Sequence, residues 1–83
     1  MKIYIKTSKL PFFFEASEVS INGVSLIINH HVFERKTINY IALEFEKNRI
    51  FEYLEKEITE FFSTSGKFMN VEKNEEIITF ERI

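Results

Sequence analysis

Polar and apolar residues alternate through the first half of the chain, a pattern typical of half-buried β-strands. Residues 2–7 (KIYIKT) predict a first strand. Pro11 has no N–H to give to a strand ladder, so it predicts the start of a second strand or a position on a sheet edge. Phe12, Phe13 and Phe14 follow it directly. Because neighbouring side chains of a strand point to opposite faces, these three rings cannot all enter one core.

The pair Asn22-Gly23 predicts a two-residue hairpin turn, because both residues tolerate the positive φ that such a turn needs. Pairing the chain around this turn sets Ile21 opposite Val24 and carries the register back to the phenylalanines. It places Phe13 on a mainly aliphatic face, which we interpret as core. Phe12 and Phe14 then lie on the opposite face of the sheet.

A third strand is predicted at about residues 37–46, joined to the hairpin through a short loop at Arg35-Lys36. In this register the aliphatic pairs again share the core face, whereas several aromatic residues share the second face. That second face collects Phe12, Phe14, His31, Phe33, Ile38 and Tyr40.

Residues 49–62 (RIFEYLEKEITEFF) carry apolar side chains at helical spacing, which predicts an amphipathic helix with a stripe about 120° wide. Asn48 is a suitable N-cap, and Gly66 can end the element. After Gly66 the pattern returns to strands at Phe68–Glu72 and Glu76–Ile83, with a turn at Lys73-Asn74.

These elements predict an α+β fold, a single domain over residues 1–83. An antiparallel sheet of five to six strands, in the order β-β-β-β-α-β-β, carries one amphipathic helix packed on one face. A single helix covers one face of such a sheet at most. We therefore expect the second, aromatic face either to be closed by curvature into a partial barrel or to be covered by another chain.

The composition removes several kinds of chemistry. The chain has no Cys and no Asp, and only two Gly, so it offers no disulfide, thiolate, conventional Ser/His/Asp triad or phosphate-binding loop. His30 and His31 are adjacent on a predicted strand and point to opposite faces, so they cannot chelate one metal. We expect no catalytic residue, no cofactor and no metal site, and we expect His30 to lie beside Glu15 as a pH-sensitive ion pair.

Net charge and amino-acid usage bear on the cellular location and the source organism of the protein. The net charge is −2, and the acidic excess lies in the second half of the chain. No apolar run resembles a signal peptide or a membrane span, so we expect a cytoplasmic location and no membrane partner. Ile, Lys, Asn, Phe and Tyr far outnumber Gly, Ala, Arg and Pro, which favours a low-GC bacterium or one of its phages as the source.

The first functional hypothesis is a small non-catalytic interaction protein, such as a regulator, adaptor or inhibitor. It would bind itself or another protein through the aromatic face or a free sheet edge, and we expect a homodimer rather than a monomer. No small-molecule substrate is inferred. Tyr53 joins the candidates because it lies off the apolar stripe of the helix. The predicted partner-binding residues are Phe12, Phe14, His31, Phe33, Arg35, Lys36, Tyr40 and Tyr53.

The alternative hypothesis is single-stranded nucleic-acid binding. The same aromatic residues would form a stacking platform, and Lys2, Lys6, Lys9, Arg35 and Lys36 would follow the backbone of the strand. The acidic balance of the chain argues against it, because affinity for nucleic acid rests mainly on positive charge.

Overall fold

The computed structural model describes residues 1–45 and 52–83, with Glu52 through its backbone alone. This part of the chain contains strands, one α-helix and a 3-10 turn at Arg35–Thr37. The elements are β1 (Lys2–Thr7), β2 (Pro11–Glu15), β3 (Val19–Asn22), β4 (Ser25–Ile28), β5 (His31–Glu34), β6 (Ile38–Glu44), α1 (Glu52–Ser63), β7 (Phe68–Lys73) and β8 (Ile77–Arg82).

The strands form two antiparallel sheets. The larger has five strands in the order β2-β1-β6-β8-β7, and the smaller has three in the order β3-β4-β5. The predicted α+β class, with a five-stranded antiparallel sheet and one helix, is confirmed. The second sheet was not predicted, because the chain turns at two places where the sequence pattern suggested continuous strands.

The turn at Asn29-His30 is the first of these places. Both residues have positive φ, 47° and 72°, and Ile28 lies opposite His31. A two-residue hairpin with positive φ at both centres follows the natural twist of the strands, and Asn tolerates this conformation better than most residues. The predicted long strand through residue 33 is therefore wrong: it is two short strands, β4 and β5.

The connection between β2 and β3 is the second place, and the side chain of Asn29 holds it. The Asn29 Oδ1 atom accepts hydrogen bonds from the backbone N–H groups of Ser17 (2.9 Å) and Glu18 (3.1 Å). Its Nδ2 donates to the carbonyl of Glu15 at 3.1 Å. These bonds satisfy backbone groups that leave the β1–β2 ladder, so β2 ends at Glu15 and β3 begins in the other sheet.

The hairpin at Asn22-Gly23 is present, but its register differs from the prediction by two residues. Asn22 lies opposite Ser25 and Ile21 opposite Leu26, so Gly23 and Val24 are the central residues of the turn. Gly23 has φ +62°, as the first centre of a type II′ turn requires. A shift of two preserves the faces of the strands, but it moves Val24 from the predicted core into an exposed turn.

The third predicted strand corresponds to β6, but β6 does not pair with the hairpin. It lies between β1 and β8 in the five-stranded sheet, because the 3-10 turn Arg35–Thr37 carries the chain from one sheet to the other. Ile38, which was assigned to the second aromatic face, is therefore fully buried in the core.

Two arginines fix this crossing. Arg82 donates from Nε to the carbonyl of Ile38 (3.0 Å) and from Nη2 to the carbonyl of Arg35 (2.8 Å). Arg35 donates from Nη1 to the carbonyl of Phe61 (3.0 Å), near the C-terminal end of α1. A cation is favourable at this end of a helix because the last carbonyls carry partial negative charge. The clamp joins β8, the 3-10 turn and α1.

The core lies between one face of the five-stranded sheet and a second layer made of α1 and the three-stranded sheet. The sheet contributes Ile3, Ile5, Ile41, Leu43, Ile78 and Phe80, and the second layer contributes Leu26, Ile28, Phe33, Ile58, Phe61 and Phe62. The ring of Phe62 lies 4.9 Å from that of Phe68 and 5.1 Å from that of Phe80, centroid to centroid.

Both C-terminal predictions agree with the fold where it is described. The amphipathic helix is confirmed over α1, whereas Asn48, Ile50 and the rest of residues 46–51 lie outside the described residues. The final hairpin is also confirmed, since β7 pairs with β8. Its turn is held by Asn74, whose Oδ1 accepts from the N–H groups of Glu76 (2.8 Å) and Ile77 (2.9 Å).

We predict that Phe62→Ala lowers the free energy of unfolding by about 3–5 kcal/mol, because it removes a fully buried ring from the centre of the core. The matched control Phe13→Ala removes the same atoms from an exposed site and should cost about 1 kcal/mol or less. Urea unfolding followed by circular dichroism measures both values. Equal losses for the two variants would contradict this description of the core.

Candidate interaction surface

Strand β2 is an edge of the five-stranded sheet, and it contains the run Pro11 to Glu15. An edge position was one of the two predicted for Pro11, and the structure confirms it. Exposure alternates along the strand: Pro11, Phe13 and Glu15 are exposed, whereas Phe12 and Phe14 are half-buried. An edge strand with one inward and one outward face has this pattern.

The assignment of the three phenylalanines to faces is the reverse of the prediction. Strand β2 pairs with β1, where Phe14 lies opposite Ile3 and Phe12 opposite Ile5, so both rings face the core. Phe13 faces away from the core and is 65% exposed. The reason is the turn after Glu15, which separates β2 from the hairpin that was expected to fix its register.

Four predicted site residues do come together, around the seam between the two sheets. The ring of Phe33 lies 5.2 Å from that of Phe12 and 5.7 Å from that of Phe14, and the ring of His31 lies 5.3 Å from that of Phe14. Phe33 is 8% exposed. The pairs are edge-to-face or tilted, as aromatic side chains prefer in a core. These contacts close the side of the core.

Tyr40 lies apart from this cluster, on the far side of the five-stranded sheet. Its ring is 6.2 Å from that of Tyr4, and the Nζ atom of Lys6 is 5.6 Å from the Tyr40 centroid and 5.9 Å from the Tyr4 centroid. A lysine ammonium near two aromatic faces is held by their negative π-density. The predicted second face is therefore divided between two surfaces.

We use "outer face" for the side of the five-stranded sheet that is turned away from the core. The strand registers place side chains on the outer face in rows that cross the strands, and two adjacent rows contain Phe13, Tyr4 and Tyr40. One row is Phe13, Tyr4, Ala42 and Thr79, and the next is Lys6, Tyr40, Glu81 and Met69. In the described ranges, the helix and the smaller sheet pack on the opposite side.

Phe13 and Tyr4 were not predicted to lie on one surface with Tyr40, and Lys6 was placed there only by the nucleic-acid hypothesis. Phe13 was assigned to the core, and β1 was not placed next to β6. A signal for the correct pairing was present in Asn29-His30, because Asn enters a turn with positive φ more readily than any residue type except Gly. Reading a turn there would have ended the long hairpin before it reached the phenylalanines.

The remaining predicted site residues have separate positions. Arg35 is engaged in the clamp at the end of α1, and Lys36 is exposed in the same 3-10 turn. Tyr53 is 73% exposed on α1. A hydrogen bond to Glu57 and the charge of that carboxylate raise the pKa of Tyr53 above 10.0.

The expected ion pair between His30 and Glu15 is not present. His30 Nε2 instead lies 3.7 Å from an oxygen of Glu18, and both side chains are largely exposed. The turn at Asn29-His30 directs His30 toward the β2–β3 connection instead of the end of β2. Across residues 1–45 and 52–83, no three acidic or histidine side chains are grouped closely enough to hold a metal ion.

Comparison with models of protein families, with curated proteins and with solved structures found no match for this chain. In the part of the chain that the structure describes, no helix is both long enough and apolar enough to cross a membrane.

We predict that Glu57→Gln lowers the pKa of Tyr53 toward its ordinary value of 10.0, because the hydrogen bond to a charged acceptor is replaced by a weaker one and the charge that repels the phenolate is removed. Ultraviolet titration of the phenolate band, with Tyr4→Phe and Tyr40→Phe in the background, follows Tyr53 alone. Glu60→Gln is the control and should have a smaller effect, since Glu60 contributes the least to the shift. An unchanged titration in Glu57→Gln would contradict the contact.

Proposed function

We propose that this protein is a small non-catalytic interaction protein, a regulator, adaptor or inhibitor, which binds protein through strand β2 and the adjoining outer face. The observation that carries the proposal is the position of Phe13. It is a large aromatic side chain, 65% exposed, at the centre of an unpaired edge strand. The site of action is the cytoplasm of a low-GC bacterium or of a cell infected by its phage.

The backbone of β2 supports this function. An unpaired edge presents N–H and C=O groups that another strand can bind, and this is a common way for small domains to recognise a protein. Edge strands are commonly protected by proline, charged side chains or bulges. In β2 the proline and the charge lie only at the two ends, Pro11 and Glu15, and all three inner residues are Phe.

The side chains beside β2 support it as well. Tyr4 lies opposite Phe13 in the neighbouring strand, and Tyr40 contacts Tyr4. Aromatic residues that remain partly exposed are enriched at the centres of protein interfaces, because they bury much apolar area with little loss of side-chain freedom. Met69 extends the apolar part of the outer face on the opposite edge strand, β7.

The charges of the outer face favour a protein over a polyanion. Lys2 and Lys6 of β1 are balanced by Glu15 of β2, Glu44 of β6 and Glu81 of β8, and all five are exposed. A mixed surface of this kind fits a partner with both signs of charge, whereas binding to nucleic acid needs a clear positive excess.

Single-stranded nucleic acid is the second candidate, and one observation favours it. Tyr4 and Tyr40 lie side by side on the outer face with the Lys6 ammonium between 5 and 6 Å from both rings. Aromatic rings next to a lysine are the usual parts of a base-stacking surface. Oligonucleotide binding that weakens steeply as salt is added would favour this function over protein binding.

We expect Phe13→Ser to weaken protein binding by at least about tenfold without unfolding the domain. The wild-type protein, Phe13→Ser and Val32→Ser are compared as baits against host extract and against a second, differently tagged copy of the chain. Val32 is the matched control, because it is 60% exposed but lies on the smaller sheet. Partners should bind the wild type and Val32→Ser equally well and bind Phe13→Ser much more weakly.

Thermal unfolding of the three baits is the companion measurement. Because Phe13 is exposed, its replacement should change stability by about 1 kcal/mol or less. Partners that bind the Phe13→Ser bait as well as they bind the wild type would refute the proposed surface.

A further inference from the structure

We propose that the strand bound to β2 is the β2 strand of a second copy of this chain. The two strands pair antiparallel about a two-fold axis at Phe13, and the two five-stranded sheets become one continuous sheet. This inference rests on the proposed function, since it names the partner of the same edge.

The direction of each backbone group of β2 follows from one hydrogen bond. The N–H of Ala16 donates to the carbonyl of Met1 at 2.7 Å, one step beyond the paired residues Glu15 and Lys2. In an antiparallel ladder, hydrogen-bonded pairs alternate with pairs that are not bonded. Phe12 and Phe14 therefore bond to β1, whereas Pro11, Phe13 and Glu15 direct their backbone groups away from the sheet.

The outward groups are unequal at the two ends of the strand. Phe13 offers both an N–H and a C=O. Pro11 offers only a C=O, because proline has no N–H. Glu15 offers its N–H, whereas its C=O already accepts a hydrogen bond from Asn29 Nδ2 at 3.1 Å. One end of the edge thus lacks a donor, and the other end has an acceptor that is already used.

A two-fold axis at Phe13 matches these two ends. Phe13 lies opposite the partner's Phe13, and the pair exchanges two hydrogen bonds. The Glu15 N–H donates to the partner's Pro11 carbonyl, and the symmetry repeats this bond at the other end. The N–H that Pro11 lacks would have pointed to the partner's Glu15 carbonyl, which Asn29 already satisfies. All outward groups of the edge are then bonded.

Two other antiparallel registers also set outward-directed residues opposite each other, but they satisfy the backbone groups of the edge less completely. A shift by two in one direction sets Phe13 opposite the partner's Pro11, which leaves the Phe13 carbonyl without a donor. A shift in the other direction sets Phe13 opposite the partner's Glu15, so its N–H must share that carbonyl with Asn29 Nδ2. A backbone group buried without its own partner costs free energy.

Side chains agree with the same pairing. The exposed Phe13 lies next to the partner's Phe13 on the outer face, where the two rings bury each other. On the inner side, Phe12 lies opposite the partner's Phe14, which continues the aromatic seam. In the antiparallel arrangement, the start of β2 lies opposite the partner's Glu15, so the nearby Lys9 is close to that carboxylate. A parallel arrangement would instead place the two Lys9 residues near each other and the two Glu15 residues near each other.

Cysteine cross-linking tests the register directly, because the chain has no cysteine of its own. Directly opposite residues in a bonded pair have Cα atoms about 5.5 Å apart, within the range that a disulfide spans. We expect Phe13→Cys to form a disulfide-linked dimer under mild oxidation. The exposed controls Val32→Cys and Met69→Cys should cross-link at least about tenfold more slowly, as chance collisions do.

Proline substitution tests the backbone hydrogen bonds. Phe13→Pro removes an outward N–H, so it should weaken self-association by at least about tenfold more than Phe13→Ser does. Asn70→Pro on β7 is the matched control. The N–H of Ile83 donates to the carbonyl of Lys67 at 2.8 Å, so by the same alternation Asn70 also directs its N–H away from the sheet. It should leave the dimer intact.

Analytical ultracentrifugation separates failure of this inference from failure of the proposed function. A wild-type protein that stays monomeric, with Phe13→Cys no faster to cross-link than the controls, would overturn the second copy as the partner. Capture of a different protein that depends on Phe13 would still support the proposed function. A dimer that persists in both Phe13→Ser and Phe13→Pro would overturn both, because association would then use another surface.

Discussion

The side chain of Asn29 is the interaction on which the arrangement of the sheets depends. It sits in a turn with positive φ and bonds the backbone of Glu15, Ser17 and Glu18. These bonds end one strand beside β1 and direct the next into a separate sheet, which folds over the core. Without them, residues 11–34 could form the long hairpin that their alternation suggests, and the three-stranded sheet would not join α1 in covering the core.

Features that depend on local sequence were predictable, and features that depend on the choice of a neighbouring strand were not. The spacing of Leu54, Ile58 and Phe62 indicates a helix wherever it packs. Alternation likewise separates Phe13 from Phe12 and Phe14 whatever the sheet. It does not say which face is inside, because that depends on whether β2 lies beside β1 or beside β5. The inverted assignment of these three residues has this single cause.

The candidate surface was predicted in part for the same reason. Phe12, Phe14, His31 and Phe33 lie together in both the predicted and the observed arrangement, but in the structure they close the core. Tyr40 reached the outer face because the 3-10 turn and the Arg82 clamp place β6 beside β1. Contacts between residues more than forty positions apart, such as Arg82 with Ile38, leave no periodic signal in the sequence.

The position of β1 between β2 and β6 has a consequence for how the chain folds. Its contact with β2 needs only a short loop, whereas its contact with β6 must close a loop of about thirty residues, which is slower. During synthesis the β1–β2 hairpin can therefore form while its inner face, with Ile3, Ile5, Phe12 and Phe14, has no cover. The nascent chain is most prone to aggregate at this stage, which ends when β6 pairs with β1.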